Sequence, residues 1–93
     1  MSQDGVVLIG KKPVMNYVTA CVTFFNAGSG KITLKARGRA ITTAVDTVEL
    51  LKRAFLKDLE VQSINLNSEE LTNPEGRTSK VSTIEITITR KGK

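Results

Sequence analysis

A short turn that carries two adjacent lysines is the part of the sequence best suited to binding an anion. Lys11 and Lys12 stand between an apolar run at residues 6–9 and Pro13, which fits the first turn of a helix. Two ammonium groups on a tight turn beside a helix start can pair with successive phosphates of a nucleic acid. A nucleotide site is disfavoured because the chain contains neither G-x-x-x-x-G-K-S/T nor G-x-G-x-x-G. The alternative is a solvated turn that binds no ligand.

A second basic turn follows the next predicted strand. Arg37 and Arg39 flank Gly38, whose lack of a side chain lets the backbone approach a ligand closely. Guanidinium groups offer forked donors that match a phosphate. Turns that follow neighbouring parallel strands leave the same edge of a sheet, so we expect these arginines to converge with Lys11 and Lys12. Two convergent basic turns are harder to explain by chance than one.

Positive charge is segregated along the chain. The net charge is +5, and no Asp or Glu occurs between Gly5 and Val45, although six of the fourteen basic residues lie there. Arg90, Lys91 and Lys93 make the C-terminal end basic as well. Such segregation raises the local positive potential and favours a polyanionic partner. A generally basic, solvated surface is the alternative interpretation.

The residue types that are missing exclude several functions. The chain has no His and one cysteine, Cys21, which removes imidazole bases and argues against a zinc site or a disulfide framework. Asp46 and Glu49 resemble a carboxylate pair but suit the early turns of a helix, where they favour its macrodipole. We therefore predict no enzyme activity, catalytic residue, metal or cofactor. No apolar run approaches the ~20 residues that span a bilayer and no signal peptide is evident, so we expect an intracellular protein without a membrane partner.

Further positions extend the set of candidate binding residues. A predicted hairpin arm at residues 72–80 carries Arg77, Lys80 and hydroxyl side chains, which would suit a groove or a phosphate ridge. An exposed polar loop is the alternative there. Asn16, on the polar stripe of the first predicted helix, is counted with the same surface. Phe55 ends the second predicted helix among cations, and its exposure would indicate a protein contact.

Two helices that position these residues are predicted from apolar spacing. The first has its inner stripe at Val14, Tyr17, Val18, Cys21, Phe24 and Phe25, and the second at Ile41, Ala44, Val45, Val48, Leu51 and Phe55. Both follow strands, so the order of elements is β-α-β-α-β-β. This order predicts an α/β two-layer sandwich, with both helices on one face of a four-stranded mixed sheet.

The strands are predicted from alternation of apolar and polar residues. Residues 31–37 and 80–90 alternate cleanly, as half-buried strands do. A third strand at residues 60–67 is less regular, because Val61 is out of phase with the apolar positions that follow it. We therefore expect a bulge or register break near Ser63.

Several segments resemble the Alba family of small basic nucleic-acid-binding proteins, which are abundant in archaeal chromatin. The resemblance rests on IGKKPVMNYV, KARGRAI, AVDTVE, RAFL and EGRTSKVSTIEI, which run from about Val6 to Ile88 in the order and spacing of the family. GKKPVMNYV and KARGRAI are its specific signatures. The family commonly has a longer flexible lead at its N-terminus, whereas five residues precede Val6 here.

The resemblance implies roles for residues already singled out. Lys11 and Lys12 would lie in the body of a DNA-binding surface, and acetylation of Lys11 would weaken binding. Arg37 and Arg39 would reinforce that surface. The arm around Arg77 and Lys80 would reach into the minor grooves. Phe55 would lie in contacts between dimers along DNA.

The resemblance also implies an Alba-like fold in one domain, residues 1–93, with a flexible N-terminus at 1–5, the arm at 72–80 and a basic tail at 90–93. The expected function is that of a homodimer that coats, bridges and compacts chromosomal double-stranded DNA without sequence preference, and that also binds RNA. Expected partners include an acetyltransferase, a deacetylase and a paralogue in heterodimers. The expected location is the cytoplasm, on the nucleoid. The alternative is an RNA-binding subunit of a ribonucleoprotein, with DNA binding secondary.

Overall fold

The computed structural model describes residues 4–91, in which strands and helices follow one another in the predicted order. The elements are β1 (Gly5–Leu8), α1 (Val14–Asn26), β2 (Lys31–Arg37), α2 (Ala40–Leu50) with a π-helical turn (Leu51–Phe55), β3 (Leu59–Thr72) and β4 (Thr78–Arg90). The sheet order is β1-β2-β4-β3; β1 is parallel to β2, and the other pairs are antiparallel. The predicted two-layer α/β sandwich with a mixed sheet is confirmed.

Strands lie close to both ends of the described chain. Gly5 opens β1, so β1 begins one residue earlier than predicted. Arg90 closes β4, and its Nε donates to both carboxylate oxygens of Asp58 at 3.1 Å. Residues 1–3 of the predicted flexible N-terminus and residues 92 and 93 of the predicted basic tail lie outside the described residues.

One face of the sheet carries the core. Its buried side chains come from alternate positions of the strands and from the inner stripes of the helices: Val7, Ile32, Leu34, Ala36, Ile84, Ile86, Ile88, Tyr17, Val18, Cys21, Phe25, Ala44, Val48 and Leu51. Covering one large apolar side chain contributes roughly 1.5–3 kcal/mol. The hydrophobic effect therefore holds both helices on this face, and the opposite face of the sheet carries mostly polar and charged residues, together with the exposed Val6 and Leu8 of β1.

Two positions predicted for the inner stripe of the second helix are exposed instead. Val45 is 41% exposed because it lies at the margin of the stripe, beside the buried Ala44. Phe55 is 48% exposed. Its turn is π-helical, with Leu56 N–H donating to the carbonyl oxygen of Leu51, so the regular angle of about 100° per residue does not hold between Leu51 and Phe55. The prediction of an inward Phe55 was wrong for this reason.

The predicted bulge in β3 is confirmed, and it has a consequence for the apolar side chains of that strand. The register shifts between Val61 and Ser63, so that Val61 lies opposite Ile88 and Ile64 lies opposite Ile86. Directly opposed residues share a face of the sheet. The bulge thus returns Val61 to the same face as Ile64.

The hairpin of β3 and β4 continues past the rest of the sheet as a two-stranded arm. The pairing of β2 with β4 ends at Arg37 opposite Thr83, whereas β3 and β4 remain paired out to Thr72 opposite Thr78. The arm therefore spans residues 68–82, which is longer than the predicted 72–80. At its root, the Gly38 N–H donates to the carbonyl oxygen of Ser82 at 2.8 Å.

Candidate nucleic-acid interface

The two basic turns lie side by side at one end of the sheet. Leu8, the last residue of β1, pairs with Lys35 in parallel register, and the Ile9 N–H donates to the carbonyl oxygen of Lys35 at 2.8 Å. The chain that leaves β1 toward Lys11 therefore runs next to the chain that leaves β2 toward Arg39. The predicted parallel pair of strands is confirmed, and it brings the two turns to the same edge.

The arm projects from that same end. β4 runs antiparallel to β2, so the residues of β4 that precede Thr83 extend beyond the carboxyl end of β2 at Arg37. At about 3.4 Å per residue, the tip of the arm lies roughly 20 Å beyond this point. Cations on the two turns and on the arm therefore lie at one end of the sheet, and we call this set, Lys11, Lys12, Arg37, Arg39, Arg77 and Lys80, the cationic end.

The side chain of Tyr17, on α1, fixes the backbone of the turn that carries Lys11 and Lys12 (the lysine turn). The Tyr17 hydroxyl oxygen accepts hydrogen bonds from Gly10 N–H at 2.8 Å and from Lys12 N–H at 3.0 Å. The Tyr17 ring is buried in the core, as predicted, but its hydroxyl group is directed to the turn. Pro13 has no N–H. The turn therefore offers a phosphate the side chains of Lys11 and Lys12 more than backbone donors.

Sequence reasoning placed Tyr17 in the apolar core and missed its contact with the turn. The signal available in the sequence was a lone hydroxyl on an otherwise apolar helical stripe, only five residues after Lys12. A buried phenol normally finds a hydrogen-bond partner. Nearby backbone donors in a tight turn could have been considered as that partner.

We predict that Tyr17→Phe makes the turn mobile and weakens nucleic-acid binding by several-fold without changing the net charge. The two hydrogen bonds contribute about 0.5–1.5 kcal/mol each, and a mobile turn must be ordered again when it binds. Amide exchange at Gly10 and Lys12 should accelerate, and the dissociation constant for a short DNA duplex should rise.

Thr47→Val is the matched control for this loss of a buried hydroxyl. The Thr47 hydroxyl donates to the carbonyl oxygen of Thr43 at 2.7 Å, within α2 and away from the turn. The control should lose stability in urea without a change in affinity. If Tyr17→Phe binds DNA as tightly as the native chain, a fixed turn is not needed and the prediction fails.

The two arginines of the second turn differ in their surroundings. Arg37 is the last residue of β2, and its Nη1 donates to Glu69 Oε1 at 3.0 Å. Arg39 follows Gly38, which has a left-handed φ of 59°, and is exposed at the start of α2. Among residues 4–91, no carboxylate lies within 4.0 Å of Arg39, so its charge is available to a ligand.

The tip of the arm is a well-defined turn. Asn73 Oδ1 accepts hydrogen bonds from Glu75 N–H at 3.0 Å and Arg77 N–H at 2.9 Å, and Gly76 supplies the left-handed φ of 83° that closes the turn. This fixes the backbone of Arg77. Lys80 is exposed on β4.

The arm carries acidic groups as well as basic ones. Glu70 lies opposite Lys80 in the hairpin, Glu69 lies at the root, and Glu75 is in the tip. The arm is therefore less positive than the two turns. Within the cationic end, the strongest positive potential should therefore lie around Lys11 and Lys12 and not on the arm.

Asn16 and Phe55 differ in their relation to this end. Asn16 is exposed in the first turn of α1, directly after the lysine turn. Phe55 lies at the end of α2, and α2 runs back along the sheet from its start at Ala40. The structure therefore brings Asn16 next to the lysines but keeps Phe55 at the opposite end of the sheet.

Other kinds of site find little support in the described part of the chain. The Cys21 thiol is buried, and burial raises its pKa to about 12, so it remains a protonated, unreactive thiol at neutral pH. Residues 4–91 contain no group of three or more acidic or thiol side chains arranged to hold a metal ion. No helix among these residues has the length and apolar character needed to cross a membrane.

Comparisons with known proteins agree with this fold. The model of the Alba family matches residues 5–68. The chain is 50% identical, over 90 residues, to the "DNA/RNA-binding protein Alba" of Methanocella arvoryzae, and the alignment covers 97% of this chain and 94% of that protein.

Solved structures show the same similarity. Alba from Thermoplasma volcanium superposes with a TM-score of 0.85 at 46% identity, covering 91% of this chain and 99% of that one. ALBA1 from Trypanosoma brucei superposes with a TM-score of 0.74 at 26% identity, covering 91% of this chain and 68% of that one. On the family match and on these identities, the chain belongs to the Alba family.

Proposed function

We propose that this protein binds DNA and RNA through their phosphate backbones and that it acts as an architectural protein on chromosomal double-stranded DNA. The observation that supports this most is the convergence of both basic turns and the arm at one end of the sheet. The relative from Methanocella arvoryzae is named as a DNA/RNA-binding protein, which supports the same class of partner. In this proposal, the protein coats, bridges and compacts duplexes in the cytoplasm, on the nucleoid, with little preference for sequence.

The composition of the cationic end favours contacts to phosphate over contacts to bases. Lysine and arginine side chains on turns pair with the backbone, which carries no sequence information. Asn16 is the amide side chain nearest the lysine turn in sequence, so we expect it to assist positioning.

Salt dependence is the experiment that tests this proposal. A protein that contacts about 6–10 phosphates loses about 10³–10⁵ in affinity between about 50 and 200 mM salt, because binding releases condensed counterions. We expect a fall of this size for duplexes of unrelated sequence, measured by fluorescence anisotropy. An affinity that is insensitive to salt, or one confined to a single sequence, would contradict the proposal.

Lys11 is the proposed site of regulation by acetylation. Its side chain is exposed on the turn, where an acetyltransferase and a deacetylase could reach it, and acetylation removes one positive charge. We expect a modest loss of affinity because Lys12 and the arginines remain. Equal affinities of unmodified protein and protein acetylated at Lys11 would contradict this role.

We propose that the protein works as a homodimer that uses an apolar row on β3. Val61, Ile64 and Leu66 share the helix-side face of the sheet, yet Ile64 is 55% and Leu66 is 73% exposed, because the helices do not extend over this edge strand. Neighbouring exposed apolar side chains on an edge strand typically mark a protein contact. A two-fold axis would let this row cover its own copy in a second chain, or the matching row of a paralogue.

Phe55 is the proposed contact between dimers on DNA. It is exposed among Lys52, Arg53 and Lys57, at the opposite end of the sheet from the cationic end. A contact at that position leaves the phosphate-binding turns free. The Phe55→Ala variant should coat long DNA with less cooperativity than the native protein. Unchanged cooperativity would count against this role.

Structured RNA is the second candidate for the main partner in the cell. Phosphate contacts alone do not separate the two nucleic acids, and the Methanocella arvoryzae relative is named for both. Crosslinking in cells, followed by sequencing of the bound DNA and RNA, would separate an architectural role from that of a ribonucleoprotein subunit. We infer a non-enzymatic role in either case; turnover of a nucleotide or nucleic acid by pure protein would contradict it.

A further inference from the structure

One cation of the cationic end is already engaged by a carboxylate of the same chain. Arg37 Nη1 donates to Glu69 Oε1 at 3.0 Å, and this ion pair spans β4, which lies between β2 and β3 in the sheet. Both side chains are more than half exposed. Glu69 lies at the root of the arm, on the face of the sheet opposite the helices. It is therefore placed where Arg37 could otherwise meet a phosphate.

A second ion pair lies beside the first. Lys35 Nζ lies 3.8 Å from Glu85 Oε2, and both pairs border one surface depression of about 410 Å³. Two carboxylates thus neutralise two cations on this face. No carboxylate of the described residues lies within 4.0 Å of Lys11, Lys12 or Arg39. Within the cationic end, Lys11, Lys12 and Arg39 are therefore uncompensated, whereas Arg37 is paired with a carboxylate.

We propose that Glu69 competes with nucleic-acid phosphate for Arg37 and so limits the affinity of the cationic end. This inference rests on the proposed function. Glu69 accepts from Nη1, so the fork formed by Nη1 and Nη2 cannot hold a phosphate while the ion pair stands, and the carboxylate charge repels a phosphate from the rest of the guanidinium group. Exposed ion pairs are weak, so a phosphate can displace Glu69 at small cost. Glu69 thereby makes binding weaker and more readily reversed.

Glu69→Gln is the variant that tests this competition. Glutamine keeps an oxygen acceptor at the same position and removes the charge, so the root of the arm should keep its geometry. An exposed ion pair that must break on binding accounts for about a two- to fivefold change in affinity. We expect the dissociation constant for a short duplex to fall by this factor for each chain of the bound unit, and the salt slope to steepen by up to about 0.9 per chain, the increment for one further phosphate.

Glu60→Gln is the matched control for the change in net charge. Glu60 is exposed near the start of β3, far from the arm, and forms no ion pair within 4.0 Å among the described residues. We expect a smaller gain in affinity than for Glu69→Gln, because this change acts only through the overall electrostatic potential of the protein. Equal gains for Glu60→Gln and Glu69→Gln would overturn the inference.

A double-mutant cycle with Arg37→Gln isolates the pair itself. If Glu69 acts by holding Arg37, the gain from Glu69→Gln should shrink to that of the Glu60→Gln control once Arg37 is replaced. An undiminished gain would show that Glu69 acts elsewhere and would also overturn the inference. Urea unfolding of each variant checks that the fold is retained.

The result also separates this inference from the proposed function. A native protein that binds no nucleic acid at moderate salt contradicts the proposed function. A native protein that binds DNA, together with a Glu69→Gln variant of unchanged affinity, contradicts the competition alone.

Discussion

Replacing Lys11 and Lys12 together by glutamate is expected to lower the affinity for duplex DNA at least about a thousandfold at about 0.1 M salt. Each phosphate contact contributes about 0.9 to the salt slope, which corresponds to nearly tenfold in affinity at this salt concentration. The proposed homodimer would lose four such contacts when both lysines are replaced in each chain. The new carboxylates add repulsion from the phosphates.

Three measurements make this expectation specific. The salt slope of the double variant should fall by about 3.6 per dimer, and the loss should be similar for duplexes of unrelated sequence. Lys11→Gln removes one charge per chain, so its affinity and its salt slope should lie between those of the native protein and those of the double variant. A loss confined to one sequence would instead indicate base readout.

The control for this experiment places the same charge change at the other end of the sheet. Lys52 and Lys57 are exposed in and just after the π-helical turn that ends α2. Replacing both by glutamate changes the net charge by the same amount but leaves the lysine turn intact. Short duplexes that hold one dimer avoid any effect on dimer–dimer contacts. If the control loses as much affinity as the double variant, net charge and not the turn determines binding.

Replacing Ile64 and Leu66 together by glutamate is expected to convert the proposed homodimer to monomers. Each apolar side chain contributes roughly 1.5 kcal/mol or more when it is covered, and a two-fold contact covers four of them. The dimer dissociation constant should therefore rise by at least about three orders of magnitude. Analytical ultracentrifugation would measure the change, and circular dichroism would check that the monomer remains folded.

The matched control uses the opposite face of the same strand. Asn65 and Asn67 alternate with Ile64 and Leu66 and lie on the polar face of the sheet. Replacing both by glutamate adds the same charge and should leave the dimer intact, as should Phe55→Ala. A dimer that survives the Ile64 and Leu66 substitutions would show that the two chains meet elsewhere.

The strands and helices were largely predictable because their patterns are local. The alternation in Lys31–Arg37 matches β2 residue for residue. The phase change at Val61 was enough to predict the bulge that the register shows. Both signals arise from the two-residue period of a strand, which is encoded over a few neighbouring residues.

Exposure and pairing were less predictable because they depend on elements distant in the sequence. Ile64 and Leu66 alternate as core residues do, yet they are exposed because β3 lies beyond the helices in the sheet order. The contact between Arg37 and Glu69 joins residues 32 positions apart across an intervening strand. No local pattern carries that information. The predicted binding residues themselves, beginning with Lys11 and Lys12, stay a prediction that the variants above would test.

Because Tyr17 engages two backbone N–H groups of the lysine turn, the proposed surface should accept nucleic-acid helices of more than one geometry. Backbone donors have fixed directions and would demand phosphates at one spacing. With Gly10 and Lys12 N–H directed to the phenol oxygen, a polyanion meets ammonium groups on long, rotatable stems. Such groups can follow phosphates whose separation and pitch differ between A-form and B-form helices. This arrangement supports the proposal that one rigidly held turn binds both RNA and DNA, because its charges, unlike its backbone, are free to move.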